Sequence, residues 1–243
     1  MQVPPALISA LRECSRTVVL SGSGISAESG VPTFREAQTG LWERFDPQEL
    51  ATPEAFARDP GLVWDWYAWR RRLIAKAPPN PGHFAIAEMQ RLVPNLTLVT
   101  QNVDGLHQRA GSRNVIELHG NIGRAKCSVE DMDVEDYDEG ASPPVCSSCG
   151  APLRPGVVWF GENLSPQALH AASEAARGAD VFLSVGTSSL VYPAAALPFE
   201  ALESGATLVE VNTGETPLTP HANQVLRGPA GDVLPRLIRE LLE

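Results

Sequence analysis

The chain has 243 residues, with 19 lysines and arginines against 29 aspartates and glutamates, for a net charge of −10. Hydrophobic residues make up 43% and charged residues 20%, the balance of a globular chain with one large core, or one plus a small insert. No apolar run reaches the roughly 18 residues of a membrane span, and no basic run suggests a nucleic-acid face, so neither a membrane nor a nucleic acid is an expected partner. The opening MQVPPALISALREC lacks a basic flank followed by an apolar block, which predicts a cytoplasmic protein. Lysine-bearing protein tails would feel a mild attraction to the acidic surface.

Short β-branched runs recur along the chain. TVVLS at Thr17–Ser21 leads into a glycine-rich turn, Gly22 to Gly30. LTLVTQN follows at Leu96–Asn102, VIELH at Val115–His119, VFLSVG at Val181–Gly186, TLVEVN at Thr207–Asn212, and a last candidate at Gln224–Arg227. Such runs suit strands buried on both faces of a parallel sheet. Alanine-rich helical stretches lie between them, as at Pro166–Arg177 and Pro193–Ser204. The alternation predicts an α/β, doubly wound, Rossmann-like sheet. Residues 34–80, rich in tryptophan, and 121–160, with three cysteines, break the pattern. They predict a smaller inserted lobe of helices and a cysteine-containing module, within a single domain over 1–243. The larger lobe then comprises about 1–33, 81–120 and 161–243. Seven acids in the ten residues from Glu130 to Glu139 read as a solvated loop.

Polar residues cluster just past the strand runs: Gly22, Gln101, Asn102, His119, Gly186, Thr187 and Asn212. Ligands of open α/β sheets bind outside the carboxyl ends of the strands. A glycine-rich strand-to-helix turn lets backbone N–H groups approach a pyrophosphate, although the spacing misses G-x-G-x-x-G. An acidic residue ending the second strand is also missing, so a dehydrogenase fingerprint is incomplete.

Further segments join that turn in order: Pro32-Thr33-Phe34-Arg35, Thr100-Gln101-Asn102-Val103-Asp104-Gly105-Leu106-His107, Glu117-Leu118-His119-Gly120 and Gly186-Thr187-Ser188. Together they resemble the sirtuin family of NAD-dependent protein deacylases, from about residue 12 to the C-terminus. The resemblance implies that Gly22, Ser23, Gly24 and Ile25 wrap the NAD phosphates, with Ser23 where the family usually has alanine. Phe34 and Arg35 would close over the nicotinamide side. Gln101, Asn102 and Asp104 would order the nicotinamide ribose and carboxamide, while Gly186, Thr187, Ser188, Asn212 and Ala230 would hold the adenosine half. His119 would be the base, with Gln101 and Asn102 beside it in the catalytic set. In the family's chemistry the acyl oxygen of a modified lysine attacks the ribose carbon bearing nicotinamide. Nicotinamide, O-acyl-ADP-ribose and free lysine are the products. Val157 to Glu162 resembles the family's peptide-pairing strand, with Val158, Phe160 and Gly161 against the acylated-lysine substrate.

Tyr67-Ala68-Trp69-Arg70 places a phenol and a guanidinium three residues apart, on one face of a helix. Such a pair can clamp a carboxylate. The motif resembles the sirtuins that remove succinyl, malonyl and glutaryl groups, and a small Ala51 leaves room for a longer acyl chain. By spacing alone, the same segment reads as an amphipathic helix with Trp64 and Tyr67 in the core and Arg70, Arg71 and Arg72 solvated.

The family's structural zinc site uses two Cys-x-x-Cys pairs. Here Cys146-Ser147-Ser148-Cys149 is intact, but Cys127 is followed three residues later by Glu130. Zinc accepts a carboxylate oxygen, so a Cys₃Glu site and three cysteines without metal both stay open. Two other functions also stay open: an ADP-ribosyl transferase or NAD hydrolase using the same loop and base, and an NAD-sensing module without turnover.

Overall fold

The computed structural model describes residues 3–31, 46–138 and 140–243. Phe34 and Arg35, expected over the nicotinamide, lie outside the described residues.

In chain order the elements are α1 (Pro5–Glu13), β1 (Thr17–Ser21), α2 (Pro47–Leu50), α3 (Pro53–Arg58), α4 (Pro60–Lys76), α5 (Pro81–Leu92), β2 (Leu96–Thr100), α6 (Leu106–Arg109) and β3 (Ile116–Glu117). There follow β4 (Gly120–Cys127), β5 (Leu153–Val157), α7 (Pro166–Arg177), β6 (Val181–Val185), α8 (Leu197–Glu203), β7 (Thr207–Asn212), β8 (Gln224–Arg227) and α9 (Ala230–Leu242). Six strands form a parallel sheet in the order β3-β2-β1-β6-β7-β8, as the alternating pattern predicts. Alternate residues of β1 serve opposite faces. Val19 packs with α1, α5 and α9, and Val18 and Leu20 pack with α7 and α8. Because both faces are covered, the central strands β1 and β6 are buried along their whole length.

Prolines punctuate the helices. α4 starts at Pro60 behind Asp59, whose carboxylate accepts the Leu62 N–H at 2.9 Å, and α5 starts at Pro81 behind Asn80, which caps Gly82 at 2.9 Å. The stretch expected to be helical over 193–204 instead begins with a 3₁₀ turn, Ala194–Ala196, and becomes α-helical at Leu197. Pro198 explains the delay, because proline lacks an N–H and is accommodated only in the first turn.

β4 and β5 form a separate antiparallel pair that packs with α4. β5 ends at Val157, so the segment expected to be a strand over Val157–Glu162 is extended only briefly before it turns. Its amides are already engaged: Val158 N–H donates to His119 O and Phe160 N–H to Ala51 O, both at 2.9 Å. The segment thus ties the strand-end histidine to the loop before α3. No described helix is long and apolar enough to cross a membrane.

Candidate active site

β1 is the strand from which the sheet order reverses, with β2 on one side and β6 on the other. Loops leaving its two halves diverge at such a point and open a crevice. Here the loops after β1 and β6 pack on each other before any ligand is considered. Gly24 N–H donates to Gly186 O at 2.7 Å. A Cβ on Gly24 would sit 2.6 Å from that oxygen, and one on Gly22 would sit 2.8 Å from Thr187 Cα. The glycines are therefore required by loop-against-loop contact, a reason additional to close approach of a phosphate.

A cavity of about 460 Å³ opens beside this junction. Gly22, Ser23, Gln101, Asn102, Asp104, His119, Thr187 and Ser188 line it, and so do Ala51, Tyr67, Arg70, Val158, Phe160 and Gly161. Gly24, Ile25, Gly186, Asn212 and Ala230 do not reach the lining. Ile25 is fully buried behind the loop, and Asn212 holds the β6 loop through its amide on Thr187 O at 2.8 Å. Ala230 is buried at the start of α9, where Glu28 accepts the Gly231 N–H at 2.8 Å.

His119 sits after β3, half-buried, with Nδ1 2.8 Å from Gln101 O. Burial lowers its pKa, and the bond to Gln101 partly opposes that shift. The Gln101 amide in turn donates to Thr187 Oγ1 at 3.0 Å, linking the loops after β2 and β6.

Three of the lining residues, Ser26, Asn102 and Asp104, are joined in a buried polar network. The Asn102 amide donates to Gly22 O and to Ser26 Oγ, both at 3.1 Å. Ser26 donates to Asp104 Oδ2 at 2.7 Å, and its oxygen lies 3.3 Å from His83 Nε2. Because Nδ1 of His83 accepts the Asn80 N–H, its proton belongs on Nε2 and points to Ser26. Burial raises the Asp104 pKa against the opposing bonds from Leu106 N–H and Ser26. Burial also depresses His83 to about 4, and the neighbouring His107, which contacts Ser21 Oγ at 2.8 Å, to about 3. Ser26 and His83 were not legible as site residues. Ser26 carries no signal beyond its place in the glycine loop, and His83 reads as an ordinary first-turn residue of α5.

α4 presents Tyr67, Arg70 and Ile74 on one face to the cavity. The reading that leaves Arg70 solvated is overturned. Arg70 is 3% exposed and Tyr67 1%. Arg71 turns instead onto the Trp64 ring, 4.5 Å from its centroid. Burial pushes the Tyr67 phenol well above its ordinary value, so it stays protonated, and lowers the Arg70 pKa. Tyr67 Oη also accepts the Trp159 indole N–H at 3.1 Å.

The cysteines converge at the far side of α4. The ligand atoms of Cys127, Glu130, Cys146 and Cys149 all lie within 4.8 Å of one another. Cys127 and Cys149 Sγ are 3.4 Å apart, near the roughly 3.8 Å expected across a tetrahedral zinc with 2.3 Å bonds. Glu130 brings its carboxylate toward the Cys146 thiol and the Ser148 hydroxyl. The donor set fits a structural zinc ion as Cys₃Glu. The rest of the acidic stretch is largely solvent-facing among the described residues.

This is a doubly wound NAD-type crevice joined to a buried Tyr/Arg channel. The Sir2 family matches residues 22–193. An NAD-dependent protein deacylase of Methylococcus capsulatus is 50% identical over 99% of this chain and 98% of its own. NAD-dependent protein deacylase 2 of Pyrobaculum aerophilum is 54% identical over 97% of this chain and 93% of its own. A crystal structure of a Sir2 homolog–NAD complex superposes with a TM-score of 0.93 at 47% identity, covering 99% of this chain and 94% of that one. A mutant Sir2 homologue in complex with 2'-O-acetyl ADP ribose gives 0.91 at 48% identity, covering 99% and 97%. The chain belongs to the Sir2 family.

Proposed function

We propose that this protein removes acidic acyl groups (succinyl, malonyl, glutaryl) from protein lysines, as well as acetyl groups. At the coarser level it is an NAD-dependent protein deacylase, as its family membership and its full-length relatives establish. The observation that carries the finer reading is the burial of Tyr67 and Arg70 on one face of α4, lining the same cavity as His119. A buried guanidinium beside a neutral phenol favours a carboxylate at the end of the acyl chain, and the small Ala51 leaves it room.

In this reading NAD is the co-substrate. Gly22, Ser23, Gly24 and Ile25 form the phosphate loop. Gln101, Asn102 and Asp104 order the nicotinamide ribose, and Gly186, Thr187, Ser188, Asn212 and Ala230 hold or shape the adenosine half. His119 Nε2 takes a proton from a ribose hydroxyl. Val158, Phe160 and Gly161 meet the peptide, and residues 34–80 and 121–160 form the smaller lobe. The zinc supplies structure to the cysteine module and none of the chemistry.

The test is a panel of acetyl-, succinyl-, malonyl- and glutaryl-lysine peptides assayed with NAD, with O-acyl-ADP-ribose followed by mass spectrometry. Higher kcat/KM on an acidic acyl group is the expected result. A clear preference for acetyl-lysine overturns the acyl assignment. NAD loss without acylated product would indicate a hydrolase.

A further inference from the structure

The residue that decides which way the Tyr67 hydroxyl points lies outside the Tyr/Arg pair. Trp159 follows β5 and is buried, and its indole N–H donates to Tyr67 Oη at 3.1 Å. An indole nitrogen can only donate, so the phenol oxygen must accept from it. A phenol proton lies near the ring plane on one side of the oxygen or the other. With the indole on one side, the Tyr67 proton is directed to the opposite side.

The indole itself is held on several sides. The Trp159 backbone N–H donates to Glu162 Oε2 at 2.8 Å. Arg154 pairs with both oxygens of that carboxylate and donates to Val157 O at 3.1 Å. Its guanidinium carbon lies 3.5 Å from the centroid of the indole ring. Burial raises the Glu162 pKa, but the bonds from Arg154 and Trp159 outweigh that and keep the carboxyl below its ordinary range. Phe56 packs against the indole with centroids 5.3 Å apart. Packing alone would explain a buried aromatic ring here. It does not explain an indole nitrogen spent on a cavity-lining hydroxyl while Glu162 and Arg154 lock the rest of the residue.

We infer that Trp159 is a positioning residue for acyl selectivity: its indole N–H turns the Tyr67 hydroxyl into a fixed hydrogen-bond donor toward the carboxylate of an acidic acyl group. The inference deepens the proposed acyl preference and rests on it. Without the indole donor, the Tyr67 hydroxyl can rotate, and part of its time is spent with the proton turned away from the acyl group.

The test measures kcat and KM with NAD on succinyl- and acetyl-lysine peptides for the wild type, Arg70→Met, Tyr67→Phe, Trp159→Phe and the double variant Tyr67→Phe/Trp159→Phe. Phenylalanine keeps an aromatic face for Arg154 and Phe56 and removes the N–H. Trp159→Phe should raise the succinyl KM and lower the succinyl-to-acetyl ratio of kcat/KM by about 2- to 10-fold, the loss of one neutral hydrogen bond. In the Tyr67→Phe background the same change should leave that ratio where Tyr67→Phe set it. Equal losses on both peptides, or the same fall in both backgrounds, would make Trp159 a packing residue and overturn the inference. If Arg70→Met abolishes a succinyl preference whose size Trp159→Phe leaves unchanged, only this inference falls. If the wild type has no such preference, the acyl assignment falls and this inference with it. A variant that fails to fold is replaced by a measurement on soluble protein. In ¹⁵N-indole spectra, the resonance displaced by Tyr67→Phe should move when succinyl peptide is added and stay still with acetyl peptide. Absence of any resonance that does both overturns the proposal.

Discussion

The carbonyl oxygen of Gln101 lies 2.8 Å from Nδ1 of His119. A carbonyl only accepts, so Nδ1 carries the ring proton and Nε2 bears the lone pair. The residue that follows β2 thus sets the tautomer of a histidine two positions past the end of β3, and leaves its Nε2 able to accept a proton.

His119→Ala should lower kcat by at least 100-fold, the usual contribution of a positioned general base, with an unchanged circular dichroism spectrum. In the wild type, burial depresses the His119 pKa, so the neutral base persists below the ordinary histidine range. The acid limb of kcat/KM should therefore have its midpoint below about 6.5. A variant with near-wild-type turnover, or a limb above that value, removes the assignment.

Arg70→Met should cut kcat/KM for succinyl-lysine by about 30- to 5000-fold, because truncating one partner of a buried charged pair costs roughly 2–5 kcal/mol. Acetyl-lysine has no carboxylate and should fall far less. Tyr67→Phe removes one neutral donor, so its loss should be smaller, about 0.5–1.5 kcal/mol. Arg71 contacts Trp64 and Arg72 is solvent-exposed, so both serve as controls. Equal losses on both peptides would make Arg70 structural.

Protein purified without chelator should hold one zinc ion per chain by elemental analysis. Glu130→Ala should lower that ratio, and chelation should lower the melting temperature, since metal binding free energy is folding free energy in such modules. A ratio near zero in the wild type would mean that the Cys₃Glu cluster is a thiol group without metal.

Acid should destabilise the fold before it protonates most carboxylates. His83 and His107 have folded pKa values of about 4 and about 3, below the ordinary 6.5. Between those values and 6.5 the unfolded chain binds more protons than the folded one. Stability is therefore complete above about 6.5 and falls by roughly 1.4 kcal/mol per pH unit for each histidine as pH drops toward 4. Asp104, whose pKa is raised, acts in the opposite direction and offsets part of the slope. Urea denaturation at several pH values should show the loss, and His107→Gln should flatten it. An unchanged slope in that variant would refute the assignment.

Much of this protein is written locally. β1 and α7 have the limits their apolar run and flanking residues suggest, because a strand buried on both faces is marked by an unbroken apolar stretch and Pro166 and Gly178 bracket a helix. The order of the glycine loop, the Gln-Asn pair after β2, the Glu-Leu-His-Gly segment and the Gly-Thr-Ser turn was enough to indicate the Sir2 family and its dependence on NAD. Packing between distant segments decided the rest. Helical spacing left Arg70 equally suited to solvent, and only the docking of α4 against β5 and the Trp159 segment buried it. The spacing from Cys127 marked Glu130 as a candidate ligand but left a metal-free trio of cysteines still open, and only the folding of the β4–β5 module brings its carboxylate to Cys127, Cys146 and Cys149. Ser26 meets His83 across 57 residues and Trp159 meets Tyr67 across 92. Periodicity reports which face of an element is buried; what that face meets depends on how the elements are assembled, and no local pattern carries that information.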